Sequence, residues 1–171
     1  MVRTLVALMT LAASTAGAWC IGGTTVQGID VSVWQGGINW GSVKDAGVKY
    51  AYARATNGTK IIDSTFDKNW AGMKNNGILR GAYQFFRPGQ DAVAQANLIL
   101  QRMGPLGPTE LPPMIDVEEA DWQPKSVVAK KVGQWLDVVE AATGTKPLIY
   151  TGTWFWDPQV GSNAYGGYPL R

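Results

Sequence analysis

Short apolar runs, each too brief to form a helix, alternate along the chain with segments of helical periodicity, and this alternation restricts the fold more than any other feature. The runs cover residues 26–33, 49–56, 78–86, 114–118 and 147–151. Between them, residues 39–47 read as a short helix closing on Gly47. Ser64 is expected to cap a helix that runs to Asn76 and stops at Gly77, and Asp91 to cap one over 92–103. Residues 126–142 have helical periodicity and end at Gly144, and an aromatic loop is expected after the fifth run. Strand and helix in strict alternation imply a parallel sheet with right-handed crossovers. The nearly all-apolar runs suit strands covered on both faces. A closed α/β barrel and an open doubly wound sheet both satisfy the pattern. No G-x-G-x-x-G or Walker A glycine spacing favours a nucleotide-binding fold.

The chain has no histidine and one cysteine, Cys20. A Ser-His-Asp triad, a Cys-His dyad and a His-ligated zinc site are therefore excluded, as is a disulfide framework within one chain. No metal or organic cofactor is implied, so any chemistry falls to carboxylates, Lys, Tyr or backbone groups. A net charge of +2 without a long basic run gives no footprint for nucleic acid. Residues 1–18 have the form of a signal peptide: Arg3, an apolar stretch over 5–13, and Ala16-Gly17-Ala18 as an A-x-A cleavage site. That stretch is too short to anchor in a bilayer. A secreted or periplasmic protein is expected, free of the membrane after cleavage. Residues 19–25 then form a lead and 26–171 one domain. Nothing in the sequence fixes an oligomeric state.

The segment most suggestive of chemistry is Leu111-Pro-Pro-Met-Ile-Asp116-Val117-Glu118. Two acids at i and i+2 at the end of a strand project to one face, roughly 6.5–7 Å apart. In parallel barrels the active site lies at the C-terminal ends of the strands, and Asp30 holds a similar position on the first run. Crowded carboxylates divide roles: burial and a neighbouring negative charge keep one protonated, and another stays ionised beside a developing cation. On spacing alone, strand-end acids serve equally well as solvated surface groups or helix caps.

The ordered motifs add a resemblance. Gly28-Ile-Asp-Val-Ser-Val-Trp-Gln-Gly36, Ile38-Asn-Trp40, Tyr52-Ala-Arg-Ala-Thr-Asn-Gly58, Gly81-Ala-Tyr-Gln-Phe-Phe-Arg-Pro88, the Asp116-x-Glu118 pair and Lys146-Pro-Leu-Ile-Tyr-Thr-Gly152 together resemble the glycoside hydrolase family 25 lysozymes of the Chalaropsis type. The resemblance spans residues 26–170 and implies an irregular TIM-like (β/α) barrel. It implies hydrolysis of the 1,4-β bond between N-acetylmuramic acid and N-acetylglucosamine in peptidoglycan. It matches Glu118 to the general acid, Asp116 to the group that stabilises the intermediate, Asp30 to a further active-site carboxylate, and Tyr83 and Tyr150 to substrate-binding tyrosines. Trp34, Trp154 and Trp156 are candidates for stacking on sugars. Asn57 and Gln84 stand where the family commonly has Glu and His. The family pattern continues past Tyr168-Pro-Leu170, whereas this sequence ends at Arg171. An incomplete barrel with an open strand edge, and poor folding, are the expectation. Two other readings compete. One is a wall-binding module that grips glycan without cutting it. The other is a chitinase-like enzyme, disfavoured because Leu111-Pro-Pro-Met-Ile supplies no additional aspartates upstream of the motif.

Overall fold

A computed structural model describes residues 25–171, so the expected signal peptide lies outside the described residues. Strands β1 (Gly28–Val31), β2 (Tyr50–Asn57), β4 (Leu79–Phe85), β5 (Met114–Asp116) and β6 (Leu148–Tyr150) pair in parallel in that order. Helices α1 (Trp40–Asp45), α2 (Phe66–Asn75), α3 (Ala92–Met103) and α4 (Lys125–Thr143) link them, and α5 (Thr153–Gln159) follows β6. The parallel α/β order expected from the alternation is present. Among the described residues, β1 and β6 are the outer strands, and Leu170 bridges to Ile149 on the outer edge of β6. The sheet curls so far that Arg171, next after that bridge, pairs with Asp30 of β1 at 2.9 Å.

The strands divide their residues between two faces. Toward the helices point Ala51, Ala53, Ala82, Ile115 and Val117, all fully buried. The small side chains let the helices lie close, and Trp135 of α4 fills the space above them. The buried residues of α4, Val128, Val132, Trp135, Leu136 and Val139, recur at helical spacing. Gln84 also lies on this side. Its amide donates to Thr56 Oγ1 at 2.6 Å, and its carbonyl accepts from Trp135 Nε1 at 2.6 Å. The residue that stands where the family commonly has His is thus a satisfied buried amide among the helices. On the concave face Tyr52 is buried, donates to the Pro112 carbonyl at 3.0 Å, and lies against Gly81. A Cβ on Gly81 would run into the Tyr52 ring.

Several local expectations hold. Asp91 accepts from Ala94 N at 2.7 Å as the α3 cap, and Gly144 closes α4 in the left-handed conformation at φ 67°. Three differ. The cap position of α2 is Thr65, not Ser64, and no side chain caps the helix there. Asp63 takes over, accepting from Thr65 N and Thr65 Oγ1 at 3.0 and 2.7 Å. The aromatic segment after β6 is the helix α5 rather than a loop, with Pro158 inside it. Pro158, sixth of seven residues, has no N–H to give the carbonyl four residues back, and α5 ends one residue later. The two-residue strand β3 (Ile61–Ile62), antiparallel to β2, is too short to leave a periodic signal.

Candidate active site

Asp30 lies near the C-terminal end of β1, Tyr83 near that of β4, Asp116 ends β5, Glu118 follows two residues later, and Tyr150 ends β6. All five line one cavity of about 210 Å³, with Met114 below them. The parallel register explains the convergence: Asp116 pairs with Tyr150, and Met114 with Tyr83, so strand order sets these side chains side by side. Asp116 and Glu118 share a face, as the two-residue period requires.

Their environments differ. Asp116 is buried, at 8 % exposure, and Glu118 is half-buried. Burial, then the charges of Glu118 and Asp30, pushes the Asp116 carboxyl up to about 7, and Arg54 opposes the rise. Its Oδ1 is buried without a hydrogen-bond partner among the described residues. Glu118 is raised by burial. Asp30 is raised by burial too, against the charge and hydrogen bonds of Arg171, whose Nε and Nη2 reach its two oxygens at 3.2 and 2.9 Å. Burial pushes the Tyr83 phenol to about 12, so it remains a neutral hydrogen-bonding group. Asp116 and Glu118 interact, so they release their protons as a coupled pair.

A fully exposed reference makes this arrangement costly. A carboxyl whose folded pKa is raised binds its proton more tightly folded than unfolded, so stability falls as pH rises from the unfolded value, near 4, to the folded one. Asp116→Asn is therefore expected to stabilise the fold by on the order of 2–4 kcal/mol at pH 8 and by little at pH 4. Thermal midpoints of parent and variant across that range check it. Equal midpoints at pH 8 would remove the claim that Asp116 is strained toward neutrality.

Arg54, opposite Tyr83 in the β2–β4 register, is a site feature that the motif alone did not single out. Its Nε bonds Asp63 Oδ2 at 2.9 Å. Asp63 is completely buried as a side chain and also accepts from Val33 N at 2.9 Å. Burial pushes the Asp63 carboxyl up, but hydrogen bonds from Thr65 and Val33 and the Arg54 charge outweigh it and hold it below the ordinary carboxylate range. Asp63 thus ties the loop after β1, Arg54 of β2 and the start of α2 into one cluster. A register shift between Arg54 and Thr56 turns Thr56 toward Gln84 and leaves Arg54 facing the carboxylates. Among the tryptophan candidates, Trp34 and Trp154 are exposed, while Trp156 packs edge-on against Tyr165 at 6.1 Å.

Against known sequences, the profile described as glycosyl hydrolases family 25 matches residues 29–170. The chain belongs to glycosyl hydrolases family 25. Within this group it is 39% identical over 150 residues to the uncharacterized protein YegX of Escherichia coli (strain K12), covering 85% of this chain and 54% of that protein. It is 37% identical over 149 residues to lysozyme M1 of Streptomyces globisporus, covering 80% of this chain and 50% of the lysozyme. The chain spans about half the length of these curated relatives. Among solved structures, the bacterial lysozyme from Streptomyces coelicolor superposes with a TM-score of 0.80 at 33% identity, over 86% of this chain and 73% of that one. A family 25 lysozyme from Aspergillus fumigatus gives 0.81 at 28% identity, over 86% and 76%. The curled parallel sheet is thus the family 25 arrangement.

Proposed function

We propose that this family 25 chain is a muramidase, cleaving the 1,4-β bond between N-acetylmuramic acid and N-acetylglucosamine in peptidoglycan. The observation that carries the proposal is the convergence of Asp30, Asp116 and Glu118 with Tyr83 and Tyr150 in one cavity. Glu118, the more exposed of the close pair, meets the glycosidic oxygen and donates a proton to it as the bond from the sugar carbon breaks. Asp116, deeper and with an unpartnered oxygen, stabilises as an anion the positive charge that develops at the sugar carbon, and a water then adds to that carbon and gives its proton back to Glu118. Asp30 and the tyrosines fix the sugar. The names of the lysozymes it resembles support the same reading. The TIM-like barrel belongs to this proposal too, supported by the parallel order and curl of the sheet. So do secretion after removal of residues 1–18 and a family 25 domain that begins at residue 26.

The test is release of reducing ends from purified peptidoglycan, with mass spectrometry of the products. Fragments ending in reducing N-acetylmuramic acid are expected. Reducing N-acetylglucosamine ends would assign the other glycan bond. Binding to the wall without any release would make the chain a glycan-binding module.

A further inference from the structure

Immediately after Glu118 the chain makes a turn whose backbone is unusual. Asp121 and Trp122 both have positive φ, 48° and 60°, and neither is glycine. L residues with side chains avoid this region, and two in succession persist only where their surroundings hold them. Here the surroundings do so. Glu119 Oε1 accepts from Ala120 N and Asp121 N at 2.9 and 3.0 Å. Asp121 forms an ion pair with Arg87 and accepts from Gly89 N at 2.9 Å. Gln123 donates to the Asp121 carbonyl at 3.2 Å. The product of this bracing is Trp122 with its whole side chain in solvent, at 101 % exposure. Ala120 and Asp121 are partly buried, but the Trp122 indole adds nothing to the core, so the use of that side chain lies outside the fold.

Beside the indole is a cavity of about 340 Å³ lined by Glu119, Ala120, Trp122, Gln123, Phe155 and Gln159. An aromatic plane flanked by two amides and a carboxylate suits a pyranose ring: the apolar sugar face lies on the indole, and the rim hydroxyls meet polar groups. The lining of the cavity comes from the segments that follow β5 and β6 and begins at Glu119, the residue after Glu118. The structure assigns Trp122, with Gln123 and Gln159, to a sugar-binding subsite that grips the glycan strand beyond the cleavage cavity. The assignment rests on the muramidase reading, and it implies a preference for long strands over short ones.

The test uses Glu118→Gln protein, which is expected to bind without cutting, titrated with peptidoglycan-derived glycan disaccharides and octasaccharides. Adding Trp122→Ala is expected to weaken octasaccharide binding about tenfold and to leave binding of a disaccharide in the cleavage cavity unchanged, because the two cavities share no lining residue. Adding Trp122→Phe instead retains most of the affinity. Trp122→Gly loses the affinity while its thermal midpoint equals or exceeds the parent's, since glycine takes φ 60° without strain. Unchanged octasaccharide affinity in Trp122→Ala overturns the subsite, as does the absence of binding at any length. If the parent releases reducing ends while Trp122 has no effect, the subsite alone falls. If the parent releases none yet affinity depends on Trp122, the subsite stands and the muramidase reading falls.

Discussion

Glu118→Gln is expected to lower kcat on peptidoglycan by about 10²–10⁴-fold with little change in KM. Glutamine matches glutamate in shape and keeps the cavity wall, but it has no acidic proton for the leaving oxygen. The substitution also removes one of the charges that raise Asp116, so that carboxyl is expected to titrate lower, though still above the usual range because burial is the larger cause. Any residual activity should therefore have its acidic limb, set by ionisation of Asp116, at lower pH than the parent's, and should lack the basic limb that Glu118 sets. Steady-state and single-turnover rates across pH measure both effects. Full activity in Glu118→Gln would pass the acid role to Asp116, which is raised more strongly.

Arg54→Met is expected to cost about 3–5 kcal/mol at neutral pH, because it leaves the buried Asp63 carboxylate without its counter-ion. The hydrogen bonds from Val33 N, Thr65 N and Thr65 Oγ1 remain, so the loss comes from the counter-ion and its one Nε hydrogen bond. The pH dependence follows from the sign of the Asp63 shift. A depressed folded pKa contributes stability above the unfolded pKa and loses it as pH falls through the folded value. With Arg54 gone the depression shrinks, so the gap between parent and variant is widest near neutrality and narrows in acid. Denaturant unfolding at pH 7 and pH 3 measures this, and an equal gap at both would show that Arg54 acts through packing alone. Removing Arg54 also removes the charge that opposes the rise of Asp116, so that pKa should climb. Arg54→Lys, which keeps the charge, should restore the Asp116 titration better than the stability.

The sequence made the site more legible than its supports. Asp116 and Glu118 were readable from strand-end position and period-two alternation, Asp30 from its similar place on the first run, and Tyr83 and Tyr150 only through the family resemblance; all five share one cavity. Arg54 was not readable as part of that site. Its role depends on Asp63, which lies nine residues on and across the short hairpin of β3, and no local pattern shows that their side chains meet. The cap of α2 failed for a related reason: Ser64 has the right chemistry, but the Asp63 carboxylate is the stronger acceptor and captures Thr65. Gln84 stood where the family commonly has His, and the register places it among the helices against Trp135. Trp122 lay outside every periodic segment, and only its backbone angles set it apart from an ordinary loop tryptophan.

The division of labour within β2 and its neighbours has an evolutionary consequence. On the helix side, Ala51, Ala53 and Ala82 leave no room for larger residues, and Gln84 is matched to Trp135, so drift there is costly. On the concave side Asp30, Glu118 and Tyr150 border open cavity, while Tyr52, Arg54 and Met114 are held by packing or by an ion pair. Substrate preference can therefore diversify among descendants of this chain by exchanges on one side of each strand, with the scaffold inherited unaltered on the other. The exception is the Tyr52–Gly81 contact, where neither partner can change size alone, and related chains are expected to vary the two positions together.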